Sequence, residues 1–109
     1  MKKFKFKATK VIDFEVEIDE SVWNEEKITK WSETFYDANN IDDIAEMLAI
    51  LFIDNGGEEG ECLEGFGVPM IDQSVPFPYN LTAEGYKKVS TDISINKISE
   101  HKITLEKVK

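Results

Sequence analysis

The stretch Phe4-Lys5-Phe6-Lys7-Ala8-Thr9-Lys10-Val11-Ile12-Asp13-Phe14-Glu15-Val16-Glu17-Ile18 decides how this chain is read. Its even positions are Phe4, Phe6, Ala8, Lys10, Ile12, Phe14, Val16 and Ile18; its odd positions are Lys5, Lys7, Thr9, Val11, Asp13, Glu15 and Glu17. Period-two patterning of this kind describes extended chain with one apolar and one wet face. Run straight, it exceeds the usual strand of roughly 3–10 residues. One reading is therefore a hairpin with a short loop about Thr9-Lys10-Val11. That register sets Phe6 opposite Phe14 and Phe4 opposite Val16 inside, with Lys5 opposite Glu15 and Lys3 opposite Glu17 outside. Each such cross-strand pair is worth a few tenths to about 1 kcal/mol. The loop offers no Gly, Asn or Asp to supply positive φ, so a single bent strand stands as the other reading.

Downstream the period changes. Asn24 is a candidate N-cap, and Glu25 and Glu26 suit the positive end of a helix dipole. Ile28, Trp31 and Phe35 then make one apolar stripe, predicting a helix from Glu25 to Tyr36. After the loop Asp37-Ala38-Asn39-Asn40, a second N-cap at Asn40 precedes Asp42 and Asp43. Ile41, Ile44, Ala45, Leu48, Leu51 and Phe52 mark the buried face of a second helix, which Asn55-Gly56-Gly57 ends. Residues Glu58 to Gly67 read as an exposed loop, Val68 to Ile71 as a short strand, and Pro76-Phe77-Pro78-Tyr79 as a rigid apolar segment. Val89, Thr91, Ile93 and Ile95 alternate with polar neighbours, and a turn near Ser99-Glu100 leads to a last strand over Lys102–Val108. No repeat or linker interrupts the chain. The expectation is one α+β domain over 1–109, an antiparallel sheet of about four strands with two helices packed on one face.

Composition agrees with a folded domain: 109 residues, 41% hydrophobic and 32% charged. Cys62 is the single cysteine, which excludes an internal disulfide and a cysteine-based zinc site within one chain. No apolar run approaches the ~20 residues that span a bilayer, and the lysine-rich start lacks the apolar region of a signal peptide. A cytoplasmic protein with no membrane contact is expected.

The net charge of −9 is unevenly distributed. Residues 1–12 hold five lysines and no acid; residues 13–64 hold seventeen acids against two lysines; residues 65–109 are nearly balanced. A middle segment of that sign repels phosphate backbones and steers cationic partners. The chain has no arginine, so the bidentate contacts arginine makes to guanine or phosphate are missing. Direct nucleic-acid binding is not expected.

The inventory for catalysis is thin. His101 is the one histidine, in an expected surface turn. Cys62 lies between Glu61 and Glu64, whose charges oppose a thiolate, so a buried or passive thiol is expected. No nucleophile elbow or phosphate-binding loop occurs. The acidic run from Asp54 to Gly65 fails as an EF-hand, because Glu59 stands where glycine is needed and Gly65 where the bidentate glutamate is needed. Weak divalent binding by the Glu58–Glu64 loop stays open, but no cofactor is expected. Trp31 belongs on the core stripe. Trp23, just before the N-cap, either staples the helix or stands exposed as a recognition anchor. Phe77 and Tyr79 either pack on the sheet edge or form a patch for self-association.

The order of features carries a resemblance. A β segment runs into Phe14-Glu15-Val16-Glu17-Ile18-Asp19, and a helix begins at Trp23-Asn24-Glu25-Glu26 and carries Trp31-Ser32. A second apolar helix leads to Glu64-Gly65-Phe66-Gly67 and Ile71-Asp72-Gln73-Ser74. This resembles small proteins of unknown function carried by bacterial phages, plasmids and integrated elements, over about residues 4–77. It departs at Gln73, where a glycine is expected. The resemblance implies a mobile-element context and, by analogy with small acidic phage proteins, an anti-CRISPR-like role against a host nucleic-acid-handling or defence protein. The expected function is accordingly a non-enzymatic inhibitor that masks a basic surface. Its acidic face would be Glu15, Glu17, Asp19, Glu25, Glu26, Asp42, Asp43, Glu58, Glu59, Glu61 and Glu64, with Trp23 as the exposed anchor. A structural or accessory protein that self-associates through its sheet edge or the Phe77–Tyr79 patch is the alternative.

Overall fold

The alternating stretch forms two strands that do not pair with each other. The computed structural model describes residues 1–96, 98–99 and 102–108, and places β1 over Lys5–Val11 and β2 over Glu15–Ile18. β1 runs antiparallel to β5 (Lys102–Val108), with Lys5 opposite Val108 and Val11 opposite Lys102. β2 runs antiparallel to β4 (Val89–Asn96), with Val16 opposite Ile95 and Ile18 opposite Ile93. The hairpin about Thr9-Lys10-Val11 is thus corrected: the chain stays extended there and changes sheets over 12–14. Without a residue suited to positive φ, no tight reversal forms. Asp13 instead locks the crossing, its N–H donating to Ser99 Oγ and its carbonyl accepting from Ser99 N–H, both at 2.9 Å. Phe14 meets Phe52 edge-on at 5.1 Å rather than Phe6.

The fold class is α+β, with the strands divided between two sheets. One is the two-stranded ribbon β1–β5; the other has the order β2–β4–β3, where β3 is Val68–Ile71. β3 lies parallel to β4, not antiparallel as expected, and a register shift falls between Pro69 and Met70. The long connection between β3 and β4 contains a 3₁₀ turn at Tyr79–Leu81 and the short helix α3 (Ala83–Lys87), which sequence patterning did not mark. A five-residue helix leaves no room for an apolar stripe; its one local signal is Thr82, which caps it by accepting from Gly85 N–H at 2.9 Å.

The two long helices sit where their caps predict. α1 (Glu25–Thr34) begins with Asn24 Oδ1 accepting from Lys27 N–H at 3.0 Å, and stops two residues before the expected Tyr36. α2 (Ile41–Asp54) begins with Asn40 Oδ1 accepting from Asp43 N–H at 2.9 Å, while Asp43 Oδ2 accepts from Asn39 N–H. The two bonds tie down the first turn from both sides. Ile44, Leu48, Leu51 and Phe52 of α2 are buried against Ile93 and Ile95 of β4, with Val16 and Ile18 of β2 at the margin. Burial of such side chains contributes roughly 1.5–3 kcal/mol each.

The ribbon is separate from this core. Every residue of β1 is exposed, as is every residue of β5 except the half-buried Val108. The molecule measures 56 × 35 × 25 Å with a radius of gyration of 16.9 Å, against about 13 Å for a compact chain of this length. Among the described residues, no helix is long and apolar enough to cross a membrane.

Candidate protein-binding surface

Trp23 is not an exposed anchor. It is 4% exposed, packed 5.5 Å from Phe66 and 6.2 Å from Trp31 between ring centroids. The Lys27 ammonium covers its ring at 4.6 Å. Its indole N–H donates to Asp92 Oδ2 at 2.6 Å, so this aromatic is a satisfied core residue and the anchor assignment is corrected. The turn after β2, in which Val22 and Trp23 N–H both donate to Asp19 C=O, delivers the ring to Phe66 and Asp92, far along the chain, and these contacts bury it.

The same cluster joins Trp31-Ser32 to Glu64-Gly65-Phe66-Gly67. Trp31 lies 5.0 Å from Phe66, and its indole N–H donates to Gly65 C=O at 2.8 Å. Ser32 Oγ accepts from Ala38 N–H at 3.0 Å, fixing the loop between the helices. Gly65 has φ +83°, and a Cβ there would stand 2.7 Å from the Trp31 indole nitrogen. Trp31-Ser32 and Glu64-Gly65-Phe66-Gly67 are therefore two halves of one packing unit.

The acids divide by what they touch. Glu17, on β2, accepts from Gln73 Nε2 at 3.0 and 2.7 Å and from Asn96 Nδ2 at 2.8 Å. The Gln73 bond, then the Asn96 bond, hold its carboxyl below the usual glutamate range. Asp19 accepts from Ser21 Oγ at 2.6 Å and Ser21 N–H at 2.9 Å, which lowers its carboxyl likewise. Asp43 serves the α2 cap. Glu26 pairs with Lys30 at 3.0 Å, one turn away on α1. Glu64 accepts from the Tyr36 hydroxyl at 3.1 Å, and that bond raises the phenol above its ordinary value. Glu15 lies exposed on β2, in line with Glu17. Glu25 and Asp42 in the first helical turns, and Glu58, Glu59 and Glu61 in the loop after α2, are exposed. These five make no hydrogen bond or ion pair among the described residues. Six of the twelve residues, Glu17, Asp19, Trp23, Glu26, Asp43 and Glu64, are engaged within the fold, in turns, a cap, core contacts and one exposed ion pair.

Gln73 escaped sequence reasoning as a structural centre, although its misfit with the expected glycine was a visible signal. Asp72 and Gln73 have φ of 50° and 62°, the pair of left-handed residues that a two-residue reversal requires. Ile71 and Ser74 close that reversal with two backbone bonds, Ile71 N–H to Ser74 C=O at 2.9 Å and Ser74 N–H to Ile71 C=O at 3.0 Å. Gln73 N–H donates to Ser94 Oγ at 2.9 Å, and Ser94 Oγ in turn donates to Asn96 Oδ1 at 2.5 Å. Glu17, Gln73, Ser94 and Asn96 thus form a connected polar network on β2, β4 and the turn.

Cys62 is exposed, so of the two arms of the expectation, a buried or a passive thiol, burial is corrected. Among the described residues, no three His, Cys, Asp or Glu side chains converge as metal ligands. His101 and Glu100 lie outside the described residues. Phe77 is 65% exposed, while Tyr79 is half-buried with its hydroxyl 3.4 Å from Gly60 C=O. Two open grooves lie side by side at the root of the ribbon. One, of about 490 Å³, is lined by Lys10, Val11, Ile12, Phe14, Ile53 and Gly56; the other, of about 310 Å³, by Phe14, Ala49, Ile50, Ile53 and Asp54. Compared with known proteins, the chain matches no protein-family model, no curated protein and no solved structure.

Proposed function

We propose that this protein is a non-enzymatic binding module whose acidic body docks on, and masks, a basic nucleic-acid-binding surface of another protein. The observation that carries this reading is the group of exposed acids whose side chains make no hydrogen bond or ion pair among the described residues: Glu25 and Asp42 in the first helical turns, and Glu58, Glu59 and Glu61 in the loop after α2. They sit within residues 13–64, where seventeen acids face two lysines. Carboxylates left unengaged by the fold are available to a cationic partner without breaking internal bonds, and their summed field steers its approach. The resemblance to small phage and plasmid proteins supplies the setting, a bacterial host or defence protein such as a CRISPR effector in the cytoplasm.

The test is affinity capture from bacterial lysate with tagged protein, washed at low and high salt, followed by binding of the purified partner to a Glu58→Lys, Glu59→Lys, Glu61→Lys variant. A nucleic-acid-handling protein held at low salt, released at high salt and bound at least roughly tenfold more weakly by the variant is expected. Binding indifferent to both salt and charge reversal overturns the reading.

A further inference from the structure

The ribbon β1–β5 has two unlike faces. Residues directly opposite in an antiparallel pair share a face, so Phe6, Ala8 and Lys10 of β1 lie with Lys107, Leu105 and Ile103 of β5. Phe4 extends this face, its ring 5.6 Å beneath the Lys107 ammonium. Phe4, Phe6, Ile103 and Leu105 are 53–69% exposed, and an isolated two-stranded ribbon is at best marginally stable in water. An apolar face of this size therefore calls for a cover.

The helix α2 presents a matching strip. Asp42, Glu46, Ile50 and Asp54 follow one another four residues apart, with Ile53 three residues after Ile50, and all five are exposed. Ile50 and Ile53, at 46% and 44% exposure, line the groove with Phe14 and Asp54. The strip is apolar at its centre and acidic at both ends, while the ribbon is apolar at its centre with Lys107 towards its free end and Lys10 at its root, where its ammonium donates to the chain's own Gly56 C=O at 3.2 Å; Lys5, Lys7 and Lys102 lie behind, Lys7 opposite Glu106.

We propose that the protein forms a two-fold symmetric dimer in which the apolar ribbon face of each protomer packs on the Ile50–Ile53 strip of α2 in its partner, the ribbon lysines meeting the partner's Asp42, Glu46 and Asp54. Charge complementarity selects this occupant. Stacking ribbon on ribbon brings lysine to lysine. A nucleic acid or an anionic lipid surface attracts the ribbon but meets the acidic body beside it. Only the ribbon-to-body arrangement matches apolar with apolar and opposite charge with opposite charge at both ends, and two-fold symmetry satisfies both copies at once. This surface goes beyond the masking role and differs from both the sheet edge and the Phe77–Tyr79 patch that the sequence suggested for self-association.

The experiment is native mass and sedimentation of the full chain at several concentrations, for the wild type, a ribbon variant (Ile103→Glu, Leu105→Glu) and a helix variant (Ile50→Glu, Ile53→Glu), all four side chains being solvent-exposed. The wild type is expected as a dimer that weakens with salt. Each variant alone is expected to dissociate at least roughly tenfold more readily. Mixing the two variants is expected to restore a heterodimer, because one intact ribbon then meets one intact helix strip. A wild type that stays monomeric at every concentration overturns the proposal. So does a dimer unaffected by either variant, or one with no recovery on mixing. So does a monomer that binds anionic vesicles or duplex DNA through the ribbon. None of these readouts involves the basic partner, so failure here is distinguishable from failure of the masking role.

Discussion

A single hydrogen bond decides the role of Trp23. Its indole N–H reaches Asp92 at 2.6 Å inside the aromatic cluster, so Asp92→Ala leaves a buried donor unsatisfied. The expected cost is about 1–3 kcal/mol in urea unfolding, with no effect on partner capture, because Asp92 lies outside the unengaged acids. Glu17 makes a second test. Its carboxyl titrates lower when folded than when unfolded, so the folded chain binds fewer protons over that range and stability rises with pH there. The contribution is complete above the ordinary glutamate value of 4.5 and is lost as pH falls through the lowered folded value. Gln73→Ala removes the largest cause of that lowering, so its melting temperature should fall less steeply with acid than that of the wild type. Equal acid slopes in parallel thermal melts would show that the network does not act on Glu17. At this scale the sequence was half legible. The caps Asn24 and Asn40 and the core place of Trp31 follow from local spacing, whereas the partners of Trp23 and Glu17 lie 69 and 56–79 residues away in the chain.

Helices and strands were legible to the extent that their signals are local. α2 matches its cap and apolar stripe, and Asn40→Ala should cost about 1 kcal/mol in thermal denaturation through loss of the bond to Asp43 N–H. Strands β3, β4 and β5 fall where alternation and flanking turn residues put them. Pairing was the weak point. Period two tells which residues share a face, but not which strand lies alongside, and both candidate partners of 4–18 offered apolar faces of similar quality. The choice fell to Phe14, which enters the core beside Phe52, and to Asp13, which is bound to Ser99. Those two contacts turn the chain from one sheet to the next.

Across the whole molecule the charge and the shape act together. Lysines gather on the exposed ribbon and acids on the rest of the chain, so association with either a cationic partner or a second copy should be fastest at low ionic strength. Stopped-flow association with the captured partner should slow as salt rises from about 0.05 to 0.5 M, since the Debye length shrinks over that range to a few ångströms. A rate unchanged by salt would remove steering from the mechanism. Hydrogen exchange offers a second check: amides of residues 5–11 and 102–108 should become better protected as protein concentration rises, while those of α2 facing the core stay protected throughout.

Local sequence was enough for the α+β class, the N-caps of the two main helices, the positions of β3, β4 and β5 and the uneven distribution of charge. These depend on periodicity and on chemistry between near neighbours. Long-range contacts settled that β1 pairs with β5 rather than β2, that β3 runs parallel to β4, that Trp23 is buried, and which carboxylates are engaged by the fold. Each of those outcomes rests on contacts between residues far apart in the chain, where local pattern carries no information about which of several compatible surfaces will meet.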